Sequence, residues 1–265
     1  MKLVYAITAF LGMTLAAQAE TMRLAVTTSF DNSGLADVLL PEIKADTGLE
    51  VQLLVVGTGQ ALRLGAAGDV DAVLVHSREA EEQFIADGHG THRREIMYND
   101  FVIIGPATDP AGLRDTHDIR EAMAQLVTTR ANFVSRGDDS GTHKAETRLW
   151  PEPVGTFGPW YRAVGAGMGT ALNTASAMDA YIMSDRASWL NFQNKGTLEV
   201  LFENDPALFN QYAFIPVNPA KSPHVRKDAV SKLEDWLTSD RAEVLINGYQ
   251  IDGQQLFTFN ANFDD

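Results

Sequence analysis

The chain has 265 residues, with 21 Lys and Arg against 35 Asp and Glu, a formal net charge of −14. Nucleic acid and anionic membrane surfaces are poor partners for so acidic a molecule. It has no cysteine, which excludes disulfides, thiolate catalysis, thiolate metal sites and a cysteine-linked lipid anchor.

The N-terminus reads as a secretory signal. Met1-Lys2 is a positive start, Leu3 to Ala16 is uncharged and mostly apolar, and Ala17-Gln18-Ala19 fits a small-x-small cleavage site before Glu20. The run is too short to span a bilayer. The expected product is a soluble periplasmic protein, cleaved near Ala19-Glu20 and monomeric.

Strand and helix patterns alternate from there. Leu24-Ala25-Val26 is a short strand entering the polar loop Thr27-Thr28-Ser29. A helix follows with Leu35, Val38, Leu39 and Ile43 on one side; Pro41 inside it predicts a kink or split, and Gly48 closes it. Val51 to Val56 is a strand, Gly57-Thr58-Gly59 a loop, Gln60 to Ala67 a helix and Val73 to Val75 a buried strand. This alternation predicts an α/β fold with doubly wound sheets.

Two apolar extended runs, Phe101 to Gly105 before Pro106 and Tyr212 to Val217 before Asn218-Pro219, read as crossings between lobes. They predict a two-lobed binding fold with a hinge and a cleft. Residues 20–103 with 217–265 form lobe I, 104–216 form lobe II, and 1–19 are the signal. Val225 to Ile246 carries apolar residues at helical spacing and predicts one long helix packed on lobe I.

The most informative stretch is Ser135-Arg136-Gly137-Asp138-Asp139-Ser140-Gly141-Thr142-His143. After the short strand Phe133-Val134, the part from Arg136 onward offers one fixed cation, two hydroxyls and two glycines before a helix. An Arg fork, hydroxyl donors and backbone N–H groups at a helix N-terminus suit a small tetrahedral oxyanion. In open α/β sheets ligands sit beyond the carboxyl ends of strands. Thr27-Thr28-Ser29-Phe30 and Gly57-Thr58-Gly59 fall there too, and would form the opposite wall. Each taken alone reads as a helix cap. Asp138 or Asp139 would either orient Arg136 or accept a hydrogen bond from a protonated anion such as hydrogen phosphate.

Other patterns carry less. The Gly137 to Lys144 spacing is not a phosphate-binding loop, and Ser140 with His143 is too local for a catalytic triad. His89-Gly90-Thr91-His92 has no matching ligand cluster, so no metal site is expected. Trp160-Tyr161 and Trp189 read as core. The glycine-rich turn Gly165 to Thr170 either presents N–H groups to the cleft or allows tight packing.

Over nearly all of the chain beyond the signal, the sequence resembles the tungstate-binding proteins of ABC importers (TupA type). The stretches that carry the resemblance are Thr27-Thr28-Ser29 with Ser33-Gly34-Leu35, Val56 to Leu62, Met97 to Val102, Ser135 to Lys144 and Asp205 to Asn210. The Arg-x-Asp-x-Ser-Gly-Thr core is shared with phosphate-binding proteins. Val26 stands where the family usually has a third threonine, and Phe30 where a small polar residue is common; Phe30 keeps a backbone N–H to donate. The resemblance implies two lobes closing on tungstate or molybdate, with Thr28, Ser29, Thr58, Arg136, Ser140, Gly141 and Thr142 as contacts. It also implies delivery to an inner-membrane ABC permease, with neither cofactor nor catalysis. The alternatives are a phosphate- or sulfate-binding protein and, from another class, a secreted hydrolase using Ser140.

Overall fold

The computed structural model describes residues 20–261. The expected signal segment and its cleavage site at Ala19 lie outside them. The chain opens with β1 (Glu20–Thr27), α1 (Thr28–Asn32), α2 (Leu35–Thr47), β2 (Leu49–Val56), α3 (Thr58–Ala67), β3 (Ala72–Val75) and α4 (Arg78–Ala86). Val, Leu and Ala fill both faces of β1 and β3, as expected for strands covered by helices on each side. β1 pairs parallel with both β2 and β3. α2 runs through Pro41 as one helix and is not split.

β4 (Arg94–Pro106) carries the chain across without leaving the strand. The second unit follows: α5 (Ile119–Thr129), β5 (Phe133–Ser135), α6 (Gly141–Leu149), β6 (Tyr161–Ala163), α7 (Met168–Met178), β7 (Tyr181–Asp185), α8 (Arg186–Asn191) and β8 (Leu198–Phe202). β5 pairs parallel with β6 and β7. β9 (Phe209–Pro216) then returns, followed by α9 (Lys227–Leu237) and α10 (Asp240–Gly248) and the short β10 (Gln250–Ile251), β11 (Gln254–Gln255) and β12 (Thr258–Phe259). The main path of the sheet runs β2-β1-β3-β9-β4-β7-β5-β6, with β8 and β12 also on β4.

Strand pairing shows where the crossings fall. Arg94 to Asp100 of β4 pair with β9, whereas Phe101 to Ile104 pair with β7. β9 pairs antiparallel with β3 over Ala213 to Pro216. The run from Tyr212 to Val217 is therefore apolar because β9 is a buried central strand of the first sheet. The chain returns one step earlier, through the turn around Asp205-Pro206. The side-chain cores agree: Leu208 packs with Phe133 and Leu149, and Tyr212 with Val26 and Leu74. We therefore propose lobe boundaries near residues 100 and 208, rather than 103 and 216.

The long helix expected over 225–246 is two. Ser239 breaks it, accepting a hydrogen bond from the amide of Ala242 as the cap of α10 while its hydroxyl donates to the Trp236 carbonyl. Both helices still dock on the first lobe through Leu233, Trp236, Leu237 and Ile246. Trp189 is core, and Trp160 and Tyr161 pack on the aromatic cluster around Trp150. His92 bonds Glu234, and His89 lies against Phe84.

Candidate oxyanion site

The carboxyl ends of β1, β2, β3, β5 and β7 converge between the lobes. Phe133 and Val134 are fully buried in β5 and hold the base of the loop. Gly137 has φ +61, and a Cβ there would stand 2.7 Å from that of Ala163, so only glycine lets the chain turn so close to β6. The amides of Val164 and Ala166 donate to the carbonyls of Ser135 and Arg136, so the Gly165 turn braces this loop.

Arg136 is 4% exposed. Its Nε and Nη2 donate to Oδ2 of Asp138 at 3.2 and 2.6 Å. The other Asp138 oxygen accepts the amide of Ser140 at 3.2 Å. Burial pushes the Asp138 carboxyl up, but the Ser140 hydrogen bonds and the Arg136 charge outweigh it and hold the group below the usual carboxylate range. Both Asp138 oxygens are thus committed to the protein, and its role is to aim the guanidinium. Asp139 is exposed and near Lys144, with one carboxylate oxygen about 3.2 Å from where a Cβ on Gly59 would stand. That approach brings the start of α3 against the Arg136 loop.

Ser140 caps α6 by accepting the His143 amide at 3.2 Å. Gly141 and Thr142 follow in the first turn, where backbone N–H groups have no partner inside the helix. Thr58 occupies the first position of α3, and Thr28 and Ser29 the first two of α1, which Thr27 caps. Phe30 does not have a free amide: its N–H goes to the Thr27 hydroxyl at 3.3 Å. Thr58 and Thr142 are fully buried, and neither hydroxyl has a hydrogen-bond partner among the described residues. A buried hydroxyl without a partner costs about 1–3 kcal/mol. Two such groups in one cleft fit a ligand that accepts from both.

Ser29 is different. Its hydroxyl lies 3.0 Å from each of Thr27 Oγ1, His76 Nε2 and Tyr212 OH, at the centre of a buried network. Having one proton, it can donate in only one direction at a time.

His76 and Tyr212 were not anticipated from the sequence. The available signal for His76 was its position immediately after β3, where ligand loops start. Its ring touches Gly141 across the cleft. Burial first, then the Arg136 charge, bring its pKa down to about 4, so it is neutral and a weak base. The Ser29–His76 pair is accordingly no activated nucleophile, and a hydrolase using Ser140 gains nothing from Ser140's service as a helix cap. Asp185 was also missed. It ends β7, caps α8 by accepting the Ser188 amide at 2.8 Å, and is pushed up by burial despite Arg136 nearby.

The arrangement can bind a compact, fully deprotonated oxyanion. It offers a fixed cation, neutral donors from both lobes and helix N-termini, shielded from water, where charge-assisted bonds are strongest. Asp138 takes both guanidinium bonds on Oδ2 and the Ser140 amide on Oδ1, so its carboxylate is engaged chiefly with the loop it braces.

The PBP superfamily domain matches residues 14–241. The tungstate-binding protein TupA of Peptoclostridium acidaminophilum is 45% identical over 243 residues, covering 90% of this chain and 85% of that protein. TupA of Campylobacter jejuni is 32% identical, covering 88% of each. Among solved structures, tungstate-binding TupA of Desulfovibrio alaskensis G20 aligns with TM-score 0.82 and 43% identity over 92% of this chain and all of the other. The tungstate ABC transporter protein of Geobacter sulfurreducens aligns with TM-score 0.79 and 44% identity over 87% and 99%. The chain belongs to the PBP superfamily and, within it, to the TupA family.

Proposed function

We propose that this protein is the solute-binding component of a tungstate ABC importer: it closes its lobes on the tungstate oxyanion and hands it to a membrane permease. The observation that carries this reading is the conjunction of Arg136, braced by Asp138, with the unpartnered buried hydroxyls of Thr58 and Thr142. Arg136 supplies the charge. Thr28, Ser29, Thr58, Ser140 and Thr142 are the hydroxyl donors, and Gly141 and Thr142 add backbone N–H groups. Asp138 positions Arg136, and Asp139 sits at the rim. No step of this capture calls for a catalytic residue or cofactor.

Cleft size would separate tungstate from the smaller sulfate and phosphate. Molybdate, nearly the size of tungstate, is the expected competitor. Export to the periplasm and action as a monomer complete the reading. Among the described residues no helix is long and apolar enough to cross a membrane.

Thermal unfolding with tungstate, molybdate, sulfate and phosphate tests it. An anion at about 1,000 times its Kd adds about 4 kcal/mol and raises Tm clearly. Tungstate is expected to do so and Arg136→Ala to abolish the shift. A shift with phosphate alone, or normal tungstate binding by Arg136→Ala, would overturn the reading.

A further inference from the structure

A second cavity of about 480 Å³ lies on the other side of His76, between the lobes and against β4 and β9. Four arginines line it, with Glu95 as the one acidic residue of the lining. Arg78 begins α4 and Arg93 precedes β4, both in the first lobe; Arg120 lies on α5 and Arg148 on α6, both in the second. None of the residues assigned to the oxyanion lines this cavity.

The two pairs differ. Arg93 is spent on Glu81 and Glu95 at 2.7 and 2.6 Å, although its Nη2 is buried and unpartnered. Arg78 pairs with Glu82 at 2.7 Å. By contrast, neither Arg120 nor Arg148 has a side-chain hydrogen bond or ion pair among the described residues. Two uncompensated guanidinium groups at one cavity are notable in a chain of net charge −14. A concave, partly apolar wall, here Phe101 and Leu149, strengthens the field of the charges around it.

We propose that this cavity is a second anion site, for a small multivalent anion of the diphosphate or polycarboxylate class, held mainly by Arg120 and Arg148 and reaching toward Arg78 across the lobes. The cavity is far larger than one tetrahedral oxyanion needs. The planar forks of arginine suit bidentate phosphate or carboxylate groups. Because the two lobes supply its opposite walls, an anion here stabilises the closed arrangement and slows release of the cargo oxyanion.

The test is calorimetric titration of the tungstate-saturated protein with pyrophosphate at constant ionic strength. One pyrophosphate per chain is expected to bind, and about tenfold or more weaker in the Arg120→Ala/Arg148→Ala variant. These side chains are exposed, so the variant should keep its fold and its tungstate-induced rise in Tm. Arg136→Ala, which removes the cargo site, should still bind pyrophosphate. Absence of binding at millimolar pyrophosphate, or binding that the double variant leaves intact, would overturn the proposal. So would binding that Arg136→Ala abolishes, which would mean pyrophosphate enters the cargo site.

Discussion

The imidazole of His76 occupies the space that a Cβ on Gly141 would need: an ideal Cβ at position 141 stands 2.3 Å from Cε1 of His76. The first lobe thus meets the second at the first residue of α6, one position before Thr142. Glycine there is a requirement of closeness, since Gly141 adopts an ordinary helical backbone. Gly141→Ala should leave the ligand-free protein folded while holding the lobes apart. Tungstate affinity should fall by about tenfold or more, because a misplaced donor set loses its short bonds. Adding His76→Ala to Gly141→Ala should recover part of the loss. Calorimetry on the two single variants and the double reads this coupling directly; strictly additive effects would mean the contact is not what the glycine serves.

The second prediction concerns Asp138. It binds the guanidinium through one oxygen and the Ser140 amide through the other, so Asp138→Ala removes two constraints on one loop. It also strands a buried cation. Breaking such a pair costs roughly 3–5 kcal/mol when fully buried, and less here because Asp138 is 19% exposed. The ligand-free variant should unfold at lower urea. With the fork no longer aimed at the anion, the tungstate-induced rise in Tm should be smaller than in the parent. A larger rise would mean that the freed charge of Arg136 matters more than the orientation of its fork.

The third prediction is a pH dependence with two opposing parts. His76 has its pKa lowered from 6.5 to about 4 by burial and Arg136, so below pH 6.5 the unfolded chain takes up a proton that the native state refuses. Its contribution is complete above pH 6.5 and is lost as the pH falls toward 4, amounting to about 3 kcal/mol at most. Glu146 of α6, which accepts from Trp150 Nε1 and Tyr161 OH at 3.0 and 2.9 Å, is pushed by burial from 4.5 to about 7. Its contribution is present below pH 4.5 and is lost as the pH rises through 7. The two nearly cancel between pH 4.5 and 6.5. Urea midpoints measured across that window should climb with pH in Glu146→Gln and decline with pH in His76→Gln, relative to the parent. Parallel curves for all three proteins would refute the assignment.

The sequence made the cradle legible because its chemistry is local. Ser135 to His143 combines a strand, two glycines, a cation and a helix cap in nine residues, and the structure assembles them in that order. Thr58 was legible for the same reason. What escaped depends on distant pairing. His76 follows a three-residue apolar pattern, and its place just after β3 is a weak signal; the approach of the two lobes is what puts it over Gly141. Tyr212 opens an apolar run that reads as a crossing, whereas its place in the site depends on the long-range pairing of β9 with β4 and β3. Ser239, by contrast, was a readable cap lost inside a longer apolar rhythm.

The last prediction separates hydroxyls left free for the ligand from one that the fold also uses. Thr58 Oγ1 and Thr142 Oγ1 are buried and without partners, whereas Ser29 Oγ is bonded on three sides. Thr→Val keeps the shape and removes only the hydroxyl. At positions 58 and 142 this deletes an unsatisfied polar group, so the ligand-free protein should gain about 1 kcal/mol. Tungstate loses a donor, and its affinity should fall by about tenfold per site. Ser29→Ala should do the opposite to the free protein, costing about 1–2 kcal/mol by orphaning Tyr212 and His76. Opposite signs of ΔΔG in ligand-free urea unfolding, with weaker tungstate binding at 58 and 142, would identify these two threonines as held ready for the anion. If Thr58→Val and Thr142→Val destabilise the free protein and bind tungstate normally, their hydroxyls serve the fold, and the anion rests on Arg136, the first-turn amides of α6 and the remaining hydroxyls.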